Sequence, residues 1–247
     1  IDQRDLRGTQ RLGIGEVRLV EEVVWPHAHD GGRGALEPRQ QPVAGCAQSR
    51  LHDLGARRHL QVRADAARDL GARAAQQAGA SAALLISPYY NKPTQEGLYR
   101  HYRAIADAVD LPLVLYNIPG RTGVNMLPTT IARLSSIQTI VGVKEGSGSV
   151  QQASDVVQMC GDRLTVLAGD DSLTLPMMAV GGKGVITVTA NITPADMAAL
   201  VSSFMAGNVA EARRIHFKLS PLFAALFYET NPIPVKEALG MMGKIDP

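Results

Sequence analysis

An α/β fold of parallel strands joined by crossover helices, and within that class a (β/α)8 TIM barrel with C-terminal helices, is predicted by three features of the 247-residue sequence. From Gly71 onward, short apolar runs alternate with amphipathic segments every 20 to 30 residues, five times over. The runs are apolar at consecutive positions, as strands covered on both faces must be. Polar, reactive side chains stand where successive runs end: Tyr90, Tyr116, Lys144, Asp170 with Asp171, and Asn191. Chemistry drawn from the C-terminal ends of many strands marks that barrel. A doubly wound sheet is the competing arrangement. No G-x-G-x-x-G follows the first clear strand, and there is no G-x-x-x-x-G-K-[ST], so a nucleotide-binding version of it loses support.

The elements follow in order. Ala72 to Ala78 reads as a short Ala-rich helix ended by Gly79. Ala82 to Ser87 (AALLIS) is a buried strand stopped by Pro88. Gln95 to Val109 has helical spacing, with Leu98, Tyr102, Ile105 and Val109 on one face. Leu111 to Ile118 is a strand, and Pro128 to Leu134 a short helix with proline at its start. Strands are then expected at Thr139 to Lys144, Leu164 to Ala168 and Gly184 to Thr189. Between and after them come helices at Val150 to Cys160, Leu173 to Val180, Pro194 to Ala206 and Glu211 to Phe227, with another beginning in NPIPVKEALGMMG.

Residues 1–70 do not share this pattern, and the N-terminal third is expected to be irregular or incomplete. No lysine precedes Lys92, whereas twelve of the nineteen arginines fall between Arg4 and Arg73. The stretch has no Phe or Tyr, and Thr9 is its one threonine. Its only sustained apolar run is Val17 to Trp25, interrupted by Glu21 and Glu22. His27 to Arg58 shows neither a 3.6 nor a 2.0 period. A surface-rich leader would read this way. So would an out-of-frame translation of GC-rich DNA, which is the expectation adopted here.

Composition excludes several classes. A formal net charge of +2 is too near zero to imply a nucleic-acid or membrane-surface partner. Cys46 and Cys160 are too few for a disulfide scaffold or a cysteine-based zinc site. No apolar run approaches the roughly 18 residues of a membrane helix, and no apolar signal core opens the chain, so a cytoplasmic protein is expected.

Lys144 is the most informative residue. It ends the strand TIVGVKEGS, with Val141 and Val143 on one pleat face and Gly142 sharing its own. A lysine turned into a barrel mouth is partly desolvated, which favours the neutral amine that can attack a carbonyl and form a Schiff base. The plainer alternative is a solvated strand-end lysine, or one paired with Glu145. Tyr116 ends the preceding strand, where a phenol can pass a proton or simply cap the core. Arg121 follows in a Pro-Gly loop, and its guanidinium fork suits a substrate carboxylate or, alone, a surface position. Together the three suggest carbonyl chemistry on a small acid. Asp170 and Asp171 could be a carboxylate pair. No nearby His or third carboxylate completes a metal set, so a loop role is expected and no metal or cofactor. His101 and His216 lie on helices at no useful spacing.

SPYYNKPTQEGLYRHY, LYNIPGRTG, VGVKEGSGS, LAGDDS, GVITVTAN and NPIPVK, in this order and spacing, resemble the dihydrodipicolinate synthase (4-hydroxy-tetrahydrodipicolinate synthase) family among the pyruvate-dependent Schiff-base aldolases. The resemblance runs from about Gly71 to Pro247. It implies a (β/α)8 barrel whose strands four to eight, with their helices, occupy residues 71–206. Residues 207–247 would begin a C-terminal helical region that the family carries further. Pyruvate and aspartate semialdehyde are the implied substrates, and a homotetramer or homodimer the implied assembly. Sugar-acid aldolases of the same wider group, such as N-acetylneuraminate lyase, are the alternative, as is a catalytically silent barrel fragment.

By the same resemblance Lys144 would form the imine with pyruvate and Tyr116 would shuttle protons. Arg121 would guide the carboxylate of the aldehyde, and Ile186 would touch pyruvate through its backbone. Tyr90 resembles a tyrosine lent by a neighbouring subunit to a proton relay, and Tyr89 one at a lysine-inhibitor site. KEGS replaces the more usual KEAS or KEAT, a change between small residues. The family's first three strands and its GTTGE loop would fall in residues 1–70. The place of its threonine pair holds His27 and Ala28 instead.

Overall fold

The computed structural model describes Glu22–Val24, Leu60–Arg63 and residues 70–246. His27 and Ala28 lie outside the described residues, as does most of the segment read as out of frame. Among the described residues seven strands form one sheet: β1 (Glu22–Val24), β2 (Leu60–Arg63), β3 (Ala82–Ile86), β4 (Leu113–Asn117), β5 (Ile140–Glu145), β6 (Thr165–Ala168) and β7 (Gly184–Thr187), in the order β1-β7-β6-β5-β4-β3-β2. All neighbours from β2 to β7 are parallel. β1 pairs antiparallel with β7, a departure from the all-parallel expectation. Both β1 and β2 lie within 1–70: β1 falls inside the interrupted apolar run from Val17 to Trp25, and β2 where no period announces a strand.

The helices are α1 (Leu70–Gln77), α2 (Gln95–Ala106), α3 (Pro119–Thr122), α4 (Pro128–Leu134), α5 (Val150–Cys160), α6 (Thr174–Ala179), α7 (Pro194–Met205), α8 (Val209–Ala225) and α9 (Ile233–Met241). Local chemistry sets their starts. The Thr94 side chain accepts from the Gly97 N–H at 3.2 Å, Ser149 from Gln152 at 3.1 Å and Asn208 from Glu211 at 3.2 Å. Prolines open α3, α4, α7 and α9 at positions whose N–H would have no helical partner. The expected face of α2 is buried, with Leu98 and Tyr102 fully enclosed. α3 is a correction: one helical turn carries Arg121 where the Pro-Gly pair suggested a loop, because Pro119 starts the turn and Gly123, at φ +67°, ends it.

The two faces of the sheet have different partners. On one, Leu113, Leu115, Ile140 and Val143 pack with Leu98, Ile131 and Val156 of the helices. Ala168 and Val185 pack likewise with Met177, Leu200 and Phe223. On the other face Leu84, Val114, Tyr116, Val141, Leu167 and Ile186 form a buried cluster drawn entirely from strands. A doubly wound sheet would cover both faces with helices. Here one face curls onto itself, which is the barrel arrangement.

Val141 corrects the reading of β5. The ladder steps from Leu113↔Ile140 to Val114↔Gly142, so Val141 is an extra residue, a β-bulge. Val141 therefore faces the strand-only interior while Val143 faces the helices, rather than both sharing a face. The bulge also inverts the phase of everything after it. Strict alternation from Ile140, which faces the helices, would send Lys144 to the helices too. With the extra residue, Lys144 stands inward opposite Tyr116.

Candidate functional site

Tyr116 and Lys144 are register partners on adjacent parallel strands, at the C-terminal ends of β4 and β5. The Lys144 Nζ lies 4.2 Å from the centroid of the Tyr116 ring. Lys144 is 1% exposed and Tyr116 8%. A solvated strand-end lysine is therefore excluded. Burial penalises the ammonium form, and the electron-rich ring face accepts an N–H of either form. Ile186, near the end of β7, belongs to the same interior cluster as Tyr116. Thus three residues singled out from the sequence converge on one end of the barrel interior.

The other three stand apart. Arg121 donates from Nη2 to the Asn231 carbonyl at 2.9 Å. With Gly120, Phe227, Tyr228, Glu229, Thr230 and Asn231 it lines a cavity of about 720 Å³, to which neither Tyr116 nor Lys144 contributes. Tyr89 is half exposed and Tyr90 94% exposed, on the segment that follows β3. Among the described residues Tyr90 stands at the surface, whereas Lys144 is enclosed.

Behind the reactive pair, on the helix side of the sheet, lies a polar network that sequence reasoning missed. Asn117 and Glu145 are the next register partners, and both are fully buried. The Glu145 carboxylate accepts from Asn117 Nδ2 at 3.1 Å, from Gln152 Nε2 at 3.0 Å and from the Ser147 N–H at 2.7 Å. Asn117 Nδ2 also donates to Asn125 Oδ1 at 2.8 Å, while its Oδ1 accepts from the Met126 N–H at 2.9 Å. Asn125 Nδ2 donates to Gln152 Oε1 at 2.8 Å, closing the ring. The signal available in the sequence was a polar residue ending each of two apolar strands, one step beyond Tyr116 and Lys144.

Asp170 and Asp171 serve their loops. Asp170 Oδ1 accepts from the Ser172 N–H at 3.0 Å and from its hydroxyl at 2.8 Å. Asp171 Oδ2 accepts from the Thr189 N–H at 2.8 Å and Oγ1 at 2.7 Å, tying the loop after β6 to the one after β7. Burial raises the Asp171 carboxyl above its ordinary range despite these bonds. At the end of β3, Ser87 Oγ lies 3.1 Å from Tyr102 Oη, and burial drives that phenol well above its usual range. Among the described residues no helix is long and apolar enough to cross a membrane.

Residues 63–246 match the dihydrodipicolinate synthetase family model, which covers well over half of the chain. The chain belongs to the dihydrodipicolinate synthetase family. The 4-hydroxy-tetrahydrodipicolinate synthase of Citrifermentans bemidjiense is 61% identical over 170 residues, 69% of this chain and 59% of that protein. The chain therefore spans about three fifths of the length of the curated relatives it matches. Dihydrodipicolinate synthase from Thermotoga maritima superposes with a TM-score of 0.69 at 45% identity, covering 70% of this chain and 60% of that one. The Acinetobacter baumannii dihydrodipicolinate synthase, solved in complex with pyruvate, gives a TM-score of 0.72 at 40% identity over 81% of this chain and 72% of that one. At these identities the curled sheet is a TIM-barrel fold of the dihydrodipicolinate synthetase family.

Proposed function

We propose that the protein condenses pyruvate with aspartate semialdehyde to give 4-hydroxy-tetrahydrodipicolinate, a step of lysine and diaminopimelate biosynthesis. The observation that carries this reading is the buried Lys144 amine set over the Tyr116 ring at matched strand ends. Lys144 Nζ attacks the pyruvate ketone carbon, forming a C–N bond and a carbinolamine. Loss of water, the carbonyl oxygen leaving with two protons, gives the imine. Removal of a methyl proton turns the imine into an enamine whose carbon attacks the aldehyde, and the second substrate's own amino group then adds to the re-formed imine carbon, closing the ring and releasing Lys144 as the free amine. Tyr116 is the proton carrier for the carbinolamine steps. The Ile186 backbone holds pyruvate from β7.

Arg121 takes the carboxylate of the second substrate, a role that its guanidinium fits and that its cavity, separate from Lys144, leaves for assembly with the substrate. Tyr90 completes the relay from a neighbouring subunit in a homodimer or homotetramer, in keeping with its exposure. Tyr89 lies beside it as a candidate for the lysine-inhibitor site. Residues 1–70 take the place of strands one to three, residues 71–206 supply strands four to eight, and residues 207–247 begin the C-terminal helices. Supplying purified protein with pyruvate and either aspartate semialdehyde or a sugar-acid aldehyde tests the assignment. Turnover confined to the sugar-acid aldehyde contradicts it.

A further inference from the structure

We infer that Glu145 is a positioning residue for imine formation, acting through the two strand ends that present Lys144 and Tyr116. The inference rests on the Schiff-base reading above. The two functional pairs share one ladder: Tyr116↔Lys144 faces the barrel interior, and Asn117↔Glu145, one residue on, faces the helices. Whatever fixes the second pair fixes the first, because each pair is separated from the other by a single peptide unit on each strand.

The network is built around a carboxylate and accepts no neutral substitute without a change of partners. Both Glu145 oxygens accept, from three donors. Neither amide can turn to offer an oxygen instead. The Asn117 Oδ1 is held by the Met126 N–H, and the Gln152 Oε1 by Asn125. The backbone completes the clamp: the Gly146 N–H donates to the Asn117 carbonyl and the Gly169 N–H to the Glu145 carbonyl, each at 2.8 Å. The clamp sits at Glu145, four residues after the Val141 bulge, and closes the stretch of ladder whose phase the bulge has changed. A buried carboxylate gives up its hydration, so its presence at this register is not explained by packing alone.

The test is the rate of imine formation in the full chain, read by borohydride quenching at timed intervals with rising pyruvate. In Glu145→Gln, an amide N–H₂ replaces one accepting oxygen and faces the Gln152 donor. The maximal rate should fall at least tenfold while the half-saturating pyruvate concentration stays within twofold. The exchange Glu145→Gln with Gln152→Glu places donor and acceptor in reversed order across the same contact. It should recover most of the rate. If Glu145→Gln does not fold, Gln152→Met, which removes one donor and leaves the carboxylate with Asn117 and Ser147, should slow the maximal rate about threefold. A wild-type maximal rate in the folded variants, with only the melting temperature lowered, overturns the inference and makes the network structural. Absence of trapping in the unmutated chain overturns the Schiff-base reading itself, and this inference with it.

Discussion

Lys144 stands over the ring of Tyr116, Nζ to centroid 4.2 Å, because an extra residue in β5 has already reversed the inward and outward phase of that strand. The nucleophile is aimed by backbone register before any side-chain contact contributes. That makes the bulge at Val141, rather than the local sequence around Lys144, the feature that creates the site.

Tyr116→Phe separates the phenol's proton transfer from its packing. The ring stays over Lys144 and the interior cluster stays filled, so stability should change by no more than about 1 kcal/mol. Turnover with pyruvate and aspartate semialdehyde should drop by about 10²- to 10⁴-fold, the usual weight of a positioned acid or base. Steady-state kinetics beside a melting curve reads both. Full activity in the folded variant would remove Tyr116 from the chemistry.

Asp171 gives a pH signature of stability. Its carboxyl is raised above 3.8, by burial first and by the neighbouring Asp170 last in weight, against bonds from Thr187 and Thr189. The folded chain thus holds this proton more tightly than the unfolded chain. The group's contribution to stability is greatest below its unfolded value and declines as pH rises through the window up to its folded value. Asp171→Asn removes that titration. Urea unfolding of both proteins between about pH 4 and pH 8 should show the wild type losing ground to the variant as pH rises, the exposed carboxylates cancelling in the difference. A wild-type stability that gains on the variant as pH rises contradicts the assignment.

Tyr102→Phe tests the hydroxyl pair behind β3. The change takes from the fully buried Ser87 hydroxyl its partner at 3.1 Å and leaves it only the longer bond to the Tyr116 carbonyl at 3.5 Å. The expected cost is about 1–3 kcal/mol in denaturant unfolding, the penalty of an unsatisfied buried polar group. The double variant with Ser87→Ala should cost less than the sum of the two single changes, and strict additivity would show that the contact carries no coupling.

Two glycines should behave oppositely. At Gly181 the backbone has φ +110° and an added Cβ would lie 2.7 Å from Val157 Cγ1. Gly181→Ala should cost about 1–3 kcal/mol of strain. Gly146 has no such backbone constraint, and its Cβ would meet the Asn117 carbonyl at 3.0 Å and the Tyr116 ring at 3.5 Å. Gly146→Ala, which restores the commoner KEAS motif, should cost less than about 1 kcal/mol. Thermal melts rank the pair, and the reverse ranking would refute both arguments.

Where a single period governs a segment, the sequence was sufficient. Pro128–Leu134 and Val150–Cys160 are helices over the limits that their prolines, caps and apolar spacing mark out. Lys144 and Tyr116 were legible because they end recognisable strands, and Ile186 through the family resemblance alone. Val141 was not, since a bulge is a property of the pairing between β4 and β5 and leaves both strands uniformly apolar. Nor was the Asn117–Glu145 pair, 28 residues apart, whose meaning appears only when the two ladders are set in register. β1 and β2 lie in arginine-rich sequence without alternation, and what makes them strands is the free edge that each finds on β7 and β3.

The site as a whole turns on Lys144 being the amine that takes pyruvate. Incubating the full chain with pyruvate and borohydride, then locating the added mass by peptide mass spectrometry, tests it most directly. One reduced pyruvate adduct is expected, on Lys144, and none in Lys144→Arg at unchanged secondary-structure content. An adduct on another lysine, or no adduct on a folded wild-type chain, would contradict it.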